Sequence, residues 1–153
     1  MKDQNKNILL NQALNFHHSG DLDKADTLYL KILSIDPEDF NANHLHGCIL
    51  SQKKKYKDAV RYLTKSVALN NNNYEANNNL AIALKNNNDF DRAQLYFKSA
   101  IKIDPKDYRA HYNLGNLLSQ IEEYQEAIQS FATAFVCDRD HLESKKRMGE
   151  VYQ

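Results

Sequence analysis

The sequence predicts an all-α fold, a solenoid of antiparallel helix hairpins. Three observations carry this. Alanine recurs at residues 25, 59, 93 and 127, each step being 34 residues. Large apolar side chains keep the same step: Leu22, Tyr56, Phe90 and Tyr124 just before each alanine, and Tyr29, Leu63, Phe97 and Phe131 four residues after it. Small residues keep it twelve positions upstream, at Ala13, Gly47, Ala81 and Gly115, and the series continues to Gly149. Several columns in phase at this period mean stacked helical hairpins, and such stacks present a binding surface more often than an active site.

The repeats run 6–39, 40–73, 74–107 and 108–141 within a single domain over 1–153. Each holds two amphipathic stretches. In the first repeat, Ser19-Gly20-Asp21 is the turn inside the hairpin, and Asp36-Pro37-Glu38-Asp39 leads into the next repeat. In the second, Lys53-Lys54-Lys55 sits at the hairpin tip as a solvated turn. In the third, helices are expected over roughly 74–86 and 89–102. Leu80, Ala81 and Leu84 line one face of the first; Phe90, Ala93, Phe97, Ala100 and Ile101 line one face of the second. Asn87-Asn88-Asp89 turns between them, with Asp89 placed to cap the second helix. In the fourth, Asp104-Pro105-Lys106-Asp107 precedes the first helix. Asp39, Asn73 and Asp107 share a column and read as N-caps, while the prolines help stop the preceding helices. Residues 142–153 resemble the opening of a fifth repeat, with Met148, Gly149 and Tyr152 in the columns of Leu114, Gly115 and Leu118. This charged helix is either a cap on the stack or the first half of a further hairpin.

Composition narrows the function. Twenty basic and 20 acidic residues leave no net charge, which argues against nucleic acid or an anionic membrane as partner. Mean hydropathy is −0.72, and no apolar run approaches the length of a membrane span. The opening MKDQNKNILL lacks the apolar length and cleavage site of a signal peptide. Two cysteines, Cys48 and Cys137, fall in different repeats, and the expected setting is reducing and cytoplasmic. Asparagine is abundant, with 18 copies clustered at 70–73, 77–79 and 86–88; most are read as tolerant surface positions.

These columns resemble the tetratricopeptide repeat (TPR) family, whose pattern is W-x2-L-G-x2-Y, then A-x3-F, then P. Leu114-Gly115 with Ala127 and Phe131 meet it; so do Leu80-Ala81 with Ala93, Phe97 and Pro105, and Ala25, Tyr29 and Pro37 in the first repeat. Departures are Leu9, Asn43, Asn77 and His111 in the tryptophan column, His46 in place of a core leucine, and Asn71 and Arg139 in place of proline. The resemblance implies a right-handed superhelical TPR solenoid whose first helices build a concave face.

Carried over from the family, the inward columns are the second, fifth, sixth, ninth and twelfth residues of each repeat. They give a peptide-binding groove that includes Asn11 and Leu14, then His44 and Cys48, then Asn78, Asn79, Ile82 and Lys85, then Arg109, Tyr112, Asn113 and Asn116, with Lys146 from the terminal helix. One column reads Asn11, Leu45, Asn79, Asn113. Asparagine amides both donate and accept, so they can pair with a peptide backbone of any sequence. The column resembles the asparagine ladder in the TPR arm of O-linked N-acetylglucosamine transferases. The plainer reading is that these amides only bridge neighbouring turns. With Leu10, Leu14 and Leu45 the groove is expected to be apolar at its N-terminal half and polar, partly basic, at the other. A chaperone-tail clamp would need lysine and asparagine where Leu10 and Leu14 stand.

Nothing in the sequence assembles an active site. His44 and Cys48 lie four apart on one helix face, but two ligands are too few for a metal. Four glycines in the whole chain leave no phosphate loop, and no nucleophile has an evident base. The expectation is a non-enzymatic adaptor without cofactor or metal that binds a protein or peptide segment. The alternatives are the substrate-recruiting segment of a larger glycosyltransferase-like enzyme, and a homodimerising scaffold in which a second copy covers Leu10 and Leu14.

Overall fold

The computed structural model describes residues 2–151, with side chains from Gln4 onward. Tyr152, expected in the Leu118 column, lies outside the described residues. Nine helices and no strand occur among the described residues. They are α1 (Lys2–His18), α2 (Leu22–Ile35), α3 (Phe40–Gln52), α4 (Tyr56–Leu69), α5 (Tyr74–Asn86), α6 (Phe90–Ile103), α7 (Tyr108–Gln120), α8 (Tyr124–Cys137) and α9 (Leu142–Val151). The chain divides into two compact units, Met1–Asn71 and Asn72–Gln153. The first holds the hairpins α1–α2 and α3–α4; the second holds α5–α6 and α7–α8, followed by α9.

The starts of the first helices follow from local chemistry. The side chains of Asp39 and Asn73 accept from the backbone N–H groups of Ala42 and Ala76 at 2.9 and 2.8 Å, and Asp107 accepts from that of Arg109 at 2.8 Å. These bonds satisfy donors that the first helical turn leaves open. Asp21 does the same for Lys24 at 3.2 Å. Asp89 does not: it occupies the N-cap of α6, but its carboxylate is engaged by the Arg92 guanidinium at 3.1 Å and caps no backbone N–H.

All four hairpin tips close in one way. Gly20, Lys54, Asn88 and Glu122 stand 34 residues apart and all have positive φ, between 58° and 81°. At each tip the left-handed residue donates to a carbonyl three residues back and the next residue to one five back, as Lys54 does to Ser51 and Lys55 to Leu50. This is the Schellman closure, which satisfies the last carbonyls of the first helix.

Inside each hairpin the small and large columns mesh. Ala25, Ala59, Ala93 and Ala127 are completely buried, and so are Tyr29, Leu63, Phe97 and Phe131. A Cβ built on Gly47 would stand 2.7 Å from Leu63 Cγ, and one on Gly115 would stand 2.7 Å from the Phe131 ring. Glycine there lets the two helix axes approach until the large side chain fills the notch. The column where the family favours tryptophan is used differently. Asn43 Nδ2 donates to the carbonyls of Pro37 (3.0 Å) and Asp39 (2.8 Å), and Asn77 Nδ2 to that of Asn73 (2.8 Å). His111 Nε2 lies 3.1 Å from the Pro105 carbonyl. Each ties the start of a first helix to the turn before it.

In the first unit the core is built on Ala13, Ala25, Tyr29, Ile32, Ala42 and Ile49, and His46, a polar residue in a column that holds leucine in the third and fourth repeats, is buried with them. Its Nδ1 meets Asp26 Oδ1 at 2.5 Å, and its ring meets Tyr62 edge-on at 4.4 Å. Asp26 also lies 3.4 Å from Lys53 Nζ, so the carboxylate is held from two sides.

Candidate functional site

The first helices of the second unit lie side by side and are tied by contacts between equivalent positions of successive repeats. Glu75 and Arg109 are both second residues of their repeats, and their side chains pair at 2.8 Å. Asn113 Nδ2 donates to Asn78 Oδ1 at 3.2 Å, joining α5 to α7. Arg147 Nε donates to Asn116 Oδ1 at 3.2 Å, joining α7 to α9. The Ala110 backbone N–H donates to the Tyr74 hydroxyl at 3.0 Å. These contacts bring together Glu75 and Asn78 of α5, Arg109, Asn113 and Asn116 of α7 and Arg147 of α9, all from the expected inward columns.

The residues on that face are not equally available. Asn78 is only 4% exposed and accepts from Asn113, so it serves as a support within the face. Asn79, Ile82, Lys85, Tyr112, Asn113 and Asn116 are half-buried. Tyr112 rests against Phe131 at 5.7 Å and His141 at 4.8 Å between ring centroids.

The expected basic character of this end does not survive the pairing. Arg109 is held by Asp107 at 2.6 Å as well as by Glu75. Lys146 lies within 4 Å of Glu143 and Glu150, and Arg147 pairs with Glu150 at 2.8 Å. Each cation neutralises a carboxylate one helical turn or one repeat away, so little net charge is left to attract an acidic ligand. Lys85 is different: it is in no ion pair among the described residues, and burial pushes its ammonium pKa below the usual lysine value.

The Tyr74 cluster was not singled out from the sequence. Burial is the main cause that raises its phenol above the usual tyrosine range, with a hydrogen bond to Asp107 adding to it. Arg109 sits 5.1 Å over the Tyr74 ring. The signal was available in the second column, where an acidic residue in one repeat faces a basic one in the next.

In the first unit, Asn11 is exposed and Leu14, His44 and Cys48 are half-buried. The His44 ring packs against Phe40 in a tilted arrangement, with centroids 5.7 Å apart. Leu10 and Leu45 pack against the core, so part of the expected apolar stripe is structural. Among the described residues no group of three His, Cys, Asp or Glu side chains could hold a metal, so the His44–Cys48 pair gathers no third ligand. No described helix is long and apolar enough to cross a membrane.

Three family models described as tetratricopeptide repeat match residues 7–39, 50–95 and 78–140. No curated protein matches the sequence. Among solved structures, the chain is similar to MamA, at 23% identity over 92% of this chain and 82% of that one, with a TM-score of 0.86. It is similar to YrrB, described as a TPR protein with an unusual peptide-binding site, at 23% identity over 94% and 74%, with a TM-score of 0.82. PilF of Pseudomonas aeruginosa aligns at 20% identity over 98% and 68%, with a TM-score of 0.84. At these identities the likeness is one of fold.

Proposed function

We propose, for a chain that belongs to the tetratricopeptide repeat family, a non-enzymatic role as an interaction module that holds an extended segment of a partner protein along the first helices of its repeats. The observation that supports this reading is the strip of half-buried amides, Asn79, Asn113 and Asn116, flanked by Ile82, Tyr112 and Lys85 on one face of α5 and α7. An asparagine amide offers two donors and two acceptor sites; the contact of Asn113 with Asn78 uses one donor, and that of Arg147 with Asn116 uses one acceptor site. The remainder suits the N–H and C=O groups of an extended peptide, while Ile82 and Tyr112 offer apolar contact to its side chains. Lys85, with no carboxylate of its own among the described residues, favours an acidic side chain in the bound segment. YrrB, similar in fold, is a TPR protein with a peptide-binding site, which is in keeping with this use of the scaffold.

The test compares proteins retained from a lysate of the source cells by immobilised wild type and by Asn79→Ala/Asn113→Ala. Loss of specific retained proteins at an unchanged melting temperature is the expected result. An identical retained set from both would remove the amide strip as the binding surface.

A further inference from the structure

A recess lies in the first unit, away from the inward columns. It has a volume of about 390 Å³ and is lined by Leu33 of α2, Pro37 of the following turn, Asn43 of α3, and Arg61, Tyr62 and Lys65 of α4. That size falls within the range of small-ligand sites. None of its six lining residues belongs to the inward columns of the repeats.

The walls differ in chemistry. Leu33, Pro37 and the Tyr62 ring supply apolar surface. The ring is fixed from another side by the edge-on contact with buried His46 at 4.4 Å. Arg61 lies with its guanidinium 4.7 Å from the centre of that ring and donates from Nη2 to the Tyr62 hydroxyl at 2.8 Å. One of the five guanidinium donors is thus used in orienting the group, and the others remain to be satisfied. Lys65 follows one turn later on the same helix, so two positive charges border one recess.

Neither cation is in an ion pair among the described residues, and the neighbouring acids explain why. Asp36 and Asp39 of the adjoining turn are both held by Lys6, at 2.8 and 3.1 Å. Bonds from Lys6 and from the Glu38 backbone N–H keep the Asp36 carboxyl below the usual range, with the charge of Lys65 a smaller contribution. Glu38 itself is exposed and makes no ion pair among the described residues. Arg61 and Lys65 therefore repel each other across an i,i+4 spacing, and an anion between them would remove that cost.

We propose that this recess binds a carboxylate carried on an aromatic body, with the ring against Tyr62, Pro37 and Leu33 and the carboxylate on Arg61 and Lys65. A guanidinium already held over an aromatic ring and bonded to its hydroxyl is preorganised for a carboxylate, and the apolar wall gives the ligand's ring a place out of water. The site stands independently of the amide strip on α5 and α7.

The experiment uses the full chain and follows side-chain and backbone NMR shifts during titration. One arm adds phenylacetate against neutral phenylacetamide; the other adds acetyl-Ala-Phe with a free against an amidated C-terminus. Saturable shifts at Arg61, Tyr62 and Lys65 by at least one of the two acids are expected, with affinity roughly tenfold weaker or worse for its neutral counterpart and in Arg61→Gln and Lys65→Gln. Lys57→Gln, which removes a charge one turn earlier and outside the recess, should leave binding unchanged. The first arm alone points to a free aryl acid, the second alone to a polypeptide terminus; either supports the site. Absence of saturable binding by both acids, equal binding of the neutral compounds, or an equal loss in Lys57→Gln overturns it.

Discussion

Gly115 and Phe131 are packed so closely that a methyl group on the glycine would stand 2.7 and 2.8 Å from two ring carbons. Phe131 is completely buried, so its ring cannot swing aside. The same column contains Gly149, where an added Cβ would meet nothing within 4 Å. Alanine favours a helix over glycine by about 1 kcal/mol, while overpacking a core costs ~1–3 kcal/mol. The two terms give opposite signs at the two sites. Gly115→Ala should lower stability by about 1 kcal/mol, because the added methyl group can be accommodated only if the buried Phe131 ring or the helix carrying it gives way. Gly149→Ala should raise the stability of α9 by up to about 1 kcal/mol. Urea melts of both variants check this, and equal signs would contradict the assigned packing.

The left-handed column gives a second prediction. Lys54, Asn88 and Glu122 hold φ of 58°, 62° and 65°, a region that costs a residue with a side chain roughly 1–2 kcal/mol. Glycine removes that strain but loses more freedom on folding, by roughly 0.5–1 kcal/mol. Lys54→Gly and Glu122→Gly should therefore each stabilise by about 0.5 kcal/mol, whereas Gly20→Ala should destabilise by ~1 kcal/mol. Thermal melting of the three variants measures this; a more stable Gly20→Ala would refute the left-handed closure at the first tip.

His46 and Asp26 offer a third test. The imidazole is buried, and its carboxylate partner has Lys53 as a second neighbour at 3.4 Å. Replacing Asp26 with alanine leaves His46 facing no acceptor on α2, at a cost of about 1–3 kcal/mol. Replacing His46 with leucine, the residue of that column in the third and fourth repeats, leaves Asp26 with Lys53 and fills the same space. His46→Leu should therefore fall within about 1 kcal/mol of wild type and could exceed it, since a buried polar pair is often no better than packed apolar residues. Denaturant midpoints decide between this ordering and its reverse.

The hairpins and their caps were readable from the chain because they depend on residue size and local spacing. A repeat of 34 residues sets which side chains meet, and the columns at 25 and 29 and their successors are buried as that rule requires. The predicted limits 74–86 match α5, and those of α6 differ by one residue at each end. Three features were less legible. Lys54 and Glu122 do not look like left-handed residues; only their phase with Gly20 and Asn88 reveals them. Asn78 looked like part of a ligand surface, but its depth depends on how near α7 comes, which no single repeat encodes. The charge on the second-unit face was overestimated because pairs such as Glu75–Arg109 join residues 34 apart.

That pairing leads to a pH prediction for the α5–α7 joint. Burial acts to raise the pKa of Asp107, but the side-chain and backbone bonds from Arg109, with the Tyr74 hydroxyl, outweigh it and hold the carboxyl below its usual value. A carboxyl whose pKa is lowered by folding contributes stability that is complete above the unfolded value, about 3.9 for aspartate, and is lost as pH falls through the folded value. Arg109→Met removes the main favourable partner. Because the Arg109 side chain is 44% exposed, its loss at neutral pH should cost only about 1 kcal/mol after solvent screening. At a pH below the folded pKa of Asp107 the carboxyl is protonated in both proteins, and the gap between them should shrink. Urea unfolding of wild type and Arg109→Met at pH 7 and at successively lower pH reads out the difference directly. A gap that stays constant across that range would mean that Arg109 acts through its stacking on Tyr74 and not through the charge of Asp107.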